Sequence, residues 1–126
     1  MKIKDLDFLE DVIEDSTSLL SIDSSRIYMA GFSNGGMLTH QFALQRPGRL
    51  AAAAVVAGPI NSARGKAPAV PDFADKAVAL PILLMHGTAD PVIPYAGGYY
   101  KGNPNSLFFS SVQDAVDLWT GINLAA

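Results

Sequence analysis

Apolar residues at Leu6, Leu9, Val12, Ile13, Leu19 and Leu20 recur at close to helical spacing and predict a helix over residues 5–20. Asp5, Asp7, Glu10 and Asp11 crowd its first turns, where negative charge complements the helix dipole. Ile22-Asp23-Ser24-Ser25 is turn chemistry, and residues 26–30 follow as a short, mostly apolar strand. A second helix is predicted over 36–44, with Pro47-Gly48 to end it. Residues 50–57 are apolar without alternation, which suits a strand buried on both faces of a parallel sheet; residues 81–85 read the same way. Between them, residues 60–76 hold Asn61, Ser62, Gly65, prolines and mixed charge, and read as an irregular surface excursion with at most one helical turn. Residues 95–107, rich in glycine, asparagine and tyrosine, read as loop. Val112, Ala115, Val116 and Trp119 then share one face of a final helix over 111–119. Helix, strand, helix, strand, excursion, strand, helix is the order of an α/β layered domain with a parallel sheet.

The junction between the first strand and the second helix is Gly31-Phe32-Ser33-Asn34-Gly35, a G-x-S-x-G pattern followed by Gly36. Alone it is weak: a chain of this length shows one by chance about one time in 25 at ordinary glycine and serine frequencies. Strand, tight turn, helix is the setting that gives it meaning, because a sharp turn there lifts the serine hydroxyl above the sheet. Side chains two before and two after the serine are expected to clash with neighbouring backbone, hence the glycines. Ser33 is therefore the candidate nucleophile.

Reactive groups in open α/β sheets gather at the carboxyl ends of the strands. The third predicted strand ends in His86-Gly87-Thr88-Ala89-Asp90-Pro91, so Asp90 falls in such a place. Read from spacing alone, Asp90 is equally a catalytic carboxylate and a plain turn residue. A serine hydrolase also needs a histidine to take the serine proton, and in this layout it follows the acid in the chain. The two histidines, His40 and His86, both precede Asp90. His40 lies roughly 10 Å down the helix from Ser33 and is expected to pack or make a structural hydrogen bond. His86 reaches the top of the sheet and is a surrogate base at most, its plainer role being a structural bond to loop backbone. Asp72, Asp75, Asp114 and Asp117 read as solvated carboxylates, and Tyr95, Tyr99, Tyr100, Phe108 and Phe109 as loop packing rather than a substrate platform. Arg64 and Lys66 are too few to form an anion-binding patch.

Composition narrows the function classes. With 126 residues there is room for one domain, and 49% apolar against 17% charged residues gives a globular chain. A net charge of −3 with no basic run argues against nucleic acid, and zero cysteines excludes disulfides and thiolate metal sites. No metal or nucleotide motif is present, and no cofactor is expected. The longest apolar run is too short to span a membrane, and the first residues lack the apolar core of a signal peptide, so a soluble polypeptide is expected.

Ile22-Asp23-Ser24-Ser25-Arg26-Ile27-Tyr28-Met29-Ala30-Gly31-Phe32-Ser33-Asn34-Gly35-Gly36-Met37 resembles the elbow region of the polyhydroxybutyrate depolymerase and feruloyl esterase group of α/β-hydrolases. Leu80-Pro81-Ile82-Leu83-Leu84-Met85-His86-Gly87-Thr88-Ala89-Asp90-Pro91-Val92-Ile93-Pro94-Tyr95 is similar to that group's acid-bearing loop, and Leu6-Asp7-Phe8-Leu9-Glu10-Asp11-Val12-Ile13 resembles the helix before the elbow strand. The resemblance implies an esterase with Ser33 as nucleophile, Asp90 as triad acid, and the backbone N–H of Asn34 as one oxyanion donor, acting on a small ester or polyester. It further implies that residues 1–126 are one incomplete domain, with an elbow block at 22–46 and an acid-loop block at 80–95. The group places further strands before the first helix and a triad histidine after the acid. Losing an oxyanion donor lowers turnover about 100- to 1,000-fold and losing the histidine roughly 10⁴-fold, so this stretch alone is expected to be a very poor esterase. The alternative expectation is a catalytically inactive segment that self-associates through exposed sheet edges.

Overall fold

The computed structural model describes residues 4–69 and 76–125. Asp72 and Asp75, expected to be surface carboxylates, lie outside the described residues. The parallel sheet is built from β1 (Tyr28–Phe32), β2 (Ala52–Val56) and β4 (Ile82–Met85), in the order β1-β2-β4 with β2 central. Helix α1 (Asp5–Leu19) precedes β1, and α2 (Asn34–Gln45) links β1 to β2. Between β2 and β4 comes a short strand, β3 (Ser62–Arg64). The chain ends its described part with β5 (Gly98–Tyr99), a 3-10 turn (Tyr100–Gly102), β6 (Leu107–Phe109) and α3 (Val112–Leu124). This is the expected α/β class: three parallel strands flanked by helices.

Register decides which side chains meet. Tyr28 pairs with Ala52, Gly31 with Val55, Ala53 with Ile82, and Val55 with Leu84. Because alternate residues point to opposite faces, Met29, Gly31, Ala53, Val55, Ile82 and Leu84 share one face. That face packs under α2 and α3, where Ala43, Leu44, Ala53, Ile60, Leu80, Ala115, Trp119 and Ile122 form the buried core. The opposite face is largely open: Tyr28, Phe32, Leu83 and Met85 are 64%, 71%, 55% and 45% exposed. The strands over 50–57 and 81–85 were expected to be buried on both faces; for 81–85 this is corrected, since Leu83 and Met85 are exposed, while in β2 the second face of Ala52, Ala54 and Val56 is half-buried. An unbroken apolar run shows that both faces avoid charge, but not that both are covered.

Helix α1 buries no residue fully and is tethered by charge. Arg46 reaches Asp7 at 2.7 Å, and Arg49 reaches Glu10 at 3.1 Å and Glu14. Asp7, Glu10 and Glu14 thus bond across to Arg46 at the end of α2 and to Arg49 just beyond it.

A second correction concerns the two stretches read as irregular. Residues 62–64 and 98–99 pair with β6 in a small antiparallel sheet ordered β3-β6-β5, with Ser62 opposite Phe109 and Tyr99 opposite Phe108. These strands are two or three residues long and their partners lie far apart in sequence, so no alternation builds up to reveal them. Ser110 closes the sheet, since its backbone N–H and its hydroxyl both donate to the Asn61 carbonyl, and the Asn61 N–H donates back to the hydroxyl. Asp114 is also reassigned from a solvated carboxylate to a capping one. Ser111 Oγ accepts from the Asp114 N–H at 3.1 Å and the Asp114 carboxylate accepts from the Ser111 N–H at 2.9 Å, a capping box at the start of α3. Among the described residues no helix is long and apolar enough to cross a membrane.

Candidate active site

Ser33 sits at the single residue between β1 and α2, with φ 55 and ψ −116. For a residue with a Cβ this is a strained backbone, held by bonds on both sides. The Ser33 N–H donates to the Val56 carbonyl at 2.9 Å, extending the β1–β2 ladder one residue past the strand. Its own carbonyl accepts from the Met37 N–H at 3.0 Å, the first bond of the helix. The chain reverses direction within one residue.

Two glycines make that turn sterically feasible, and they are not the symmetric pair expected. A Cβ on Gly31 would lie 2.0 Å from the Gly35 carbonyl oxygen, an impossible contact with backbone. A Cβ on Gly36 would meet Val55 Cγ1 at 2.9 Å and Gly58 Cα at 3.1 Å, so Gly36 lets α2 settle onto β2. At Gly35 a Cβ would meet nothing within 4 Å. The expected clash two residues after the serine is therefore corrected: Gly35 takes part through its carbonyl, which packs on Gly31 and accepts from Thr39 Oγ1 at 2.8 Å. Asn34 opens α2, and N–H groups in a helix's first turn have no intrahelical acceptor.

Asp90 follows β4, and because β1, β2 and β4 run parallel, its loop leaves the same end of the sheet as the Ser33 turn. Asp90 Oδ1 accepts from the N–H groups of Val92 at 2.8 Å and Ile93 at 3.0 Å. These two amide bonds, Ile93 foremost, hold its carboxyl below the usual range, with a smaller contribution from His86. The second oxygen, Oδ2, lies 3.5 Å from His86 Nε2. That nitrogen is 2.8 Å from the Ile93 carbonyl, which only accepts, so Nε2 carries the ring proton. The His86 side chain is 4% exposed and meets Tyr95 edge-on at 5.9 Å.

His40 lies elsewhere. It is fully buried on α2, and its Nδ1 accepts from Trp119 Nε1 on α3 at 3.1 Å. Burial lowers its pKa to about 4, the nearby Gly58 backbone opposing weakly. No hydrogen bond of ordinary geometry reaches Nε2 among the described residues. The ring is neutral at pH 7 and joins two helices of the core.

A cavity of about 570 Å³ opens beside Ser33. Ser33, Asn34 and Met37 form one wall, Arg64, Leu107 and Phe109 the other, and Ile93, which bonds Asp90, also borders it. Sequence reading missed this second wall. In sequence Arg64 reads as part of a lone surface pair and Tyr100 and Phe109 as loop packing, because β3 and β6, which carry Arg64 and Phe109, are too short to give a periodic signal and Tyr100 lies in the 3-10 turn. Among the described residues no group of three His, Cys, Asp or Glu side chains is placed to hold a metal.

The phospholipase/carboxylesterase family model matches residues 4–113. The poly(3-hydroxyoctanoate) depolymerase of Pseudomonas fluorescens is 34% identical over 93 residues, covering 72% of this chain and 33% of that protein. The bifunctional acetylxylan esterase/xylanase XynS20E of Neocallimastix patriciarum is 33% identical over 94 residues, covering 73% of this chain and 12% of the relative. Feruloyl esterase B of Piromyces equi is 32% identical over 124 residues, covering 94% of this chain and 22% of the relative. The chain thus spans a third or less of these curated relatives, and no solved structure matches it. With most of its length matched and its elbow at the end of a parallel strand, the chain belongs to the phospholipase/carboxylesterase family of α/β-hydrolases.

Proposed function

We propose that the chain carries the nucleophile and acid of a serine carboxylic-ester hydrolase. The observation that supports this best is the strained turn at Ser33, on the same end of the sheet as Asp90. In this reading Ser33 Oγ attacks the ester carbonyl carbon while an imidazole takes its proton. The carbonyl oxygen becomes an oxyanion held by the Asn34 N–H, and the alcohol leaves with the proton as the C–O bond breaks. Water, deprotonated by the same imidazole, then releases the acid from Ser33. Asp90 orients the imidazole and stabilises its charged form. His40 is locked in the core and His86 Nε2 is tied to the Ile93 carbonyl, so in this reading the base is a histidine other than these two. The substrate is a small ester or polyester, in keeping with the esterase and depolymerase names of the relatives.

A second reading is favoured by one contact, His86 Nε2 facing Asp90 Oδ2. Here His86 is the surrogate base. The two readings separate in p-nitrophenyl butyrate hydrolysis. On the first, Ser33→Ala removes the hydrolysis above background, His86→Ala leaves most of it, and added imidazole raises turnover only when Ser33 is present. Turnover unchanged by Ser33→Ala defeats both readings, and hydrolysis at background throughout leaves a non-catalytic, self-associating segment.

A further inference from the structure

The cavity beside Ser33 carries one charged side chain among its described lining residues, Arg64. Register explains how it arrives there. Arg64 pairs with Leu107 and Ser62 with Phe109, so Arg64, Leu107 and Phe109 project from one face of the small sheet, and all three line the cavity. Tyr100 lines it too, and Lys101 places its ammonium 5.3 Å from the centre of that ring. The chain as a whole is acidic, with 12 carboxylates against 9 basic side chains, so Arg64 runs against its overall charge. Asn103 and Asn105 complete the polar side, while Met37, Leu107 and Phe109 are apolar. A cavity with both apolar and polar lining and one guanidinium-bearing side chain fits a ligand that is carbon along part of its length and anionic at its end.

We infer that the Ser33 cavity selects esters bearing a carboxylate, with Arg64 as the residue that recognises it. This rests on the proposed hydrolase reading for its chemistry, but binding alone can test it. Ser33 meets the ester carbonyl, the methylene chain lies on Met37 and Leu107, and the carboxylate bonds the Arg64 guanidinium.

The test is a titration followed by protein NMR at low salt with two pairs of ligands. Monoethyl adipate against diethyl adipate places the carboxylate on the acyl side. 4-Acetoxybutanoate against its methyl ester places it on the alcohol side. At least one charged ligand should bind roughly fivefold more tightly than its neutral partner, the scale of one partly exposed ion pair. The arm that shows the preference assigns the side. Arg64→Gln should abolish the preference, Arg64→Glu should reverse it, and Arg64→Lys should keep part of it, each variant being checked for an unchanged fold by its spectrum. The preference should persist in Ser33→Ala, so loss of the hydrolase reading leaves this result standing. Equal affinity within both pairs, no binding by any ligand, or a preference that survives Arg64→Gln overturns the inference.

Discussion

Trp119 donates its indole N–H to His40 across 79 residues of sequence, a 3.1 Å bond between two rings buried in the core. It fixes α3 against α2, the helix that begins just after Ser33. Replacing Trp119 by Phe leaves His40 Nδ1 buried without a donor and should lower stability by about 1–3 kcal/mol, read by urea unfolding at pH 7. A loss of a few tenths would mean the bond is incidental.

The same histidine sets a pH dependence. Its folded pKa is lowered to about 4 from the ordinary 6.5, so the unfolded chain binds the proton first as pH falls. The stability it contributes is complete above about pH 6.5 and drains away toward pH 4, by about 3 kcal/mol in all. Asp90, whose pKa is also lowered, adds its loss only below the ordinary carboxylate value. Unfolding free energies measured from pH 7 to 4 should fall through this window, and His40→Gln should flatten the fall. A level profile would contradict the buried neutral ring.

Gly31 and Gly35 should respond oppositely to alanine. At Gly31 the added methyl collides with backbone, and a loss of about 2 kcal/mol or more is expected. At Gly35 it meets open space within a helix, where alanine is favoured over glycine by up to about 1 kcal/mol. Thermal unfolding of the two variants decides this, and equal destabilisation would contradict the geometry of the turn.

Much of this was legible in the sequence. The three parallel strands and three main helices announced themselves through long apolar runs and helical periodicity, and the serine turn through its glycines. The antiparallel sheet did not, because β3 and β5 contribute three residues and two, and their pairing with β6 is non-local. Arg64 was lost with it. The exposed face of the main sheet was hidden for another reason: Leu83 and Met85 are as apolar as the core residues Leu80 and Ile122. Sequence reports hydrophobicity, and only the register shows which face is covered.

That open face and the outer strands β1 and β4 should drive association between copies of this chain. Light scattering over a concentration series should show growth beyond the 13.3 kDa monomer, and Tyr28→Lys with Leu83→Lys should suppress it. A wild-type chain that stays monomeric throughout would contradict this.

The most direct measurement is the mass of the protein after prolonged incubation with an excess of an alkyl fluorophosphonate. One adduct is predicted, mapped by peptide fragmentation to Ser33 and absent from Ser33→Ala. Full incubation without modification at Ser33, or an adduct on a different side chain, would contradict the assignment of that serine as the nucleophile.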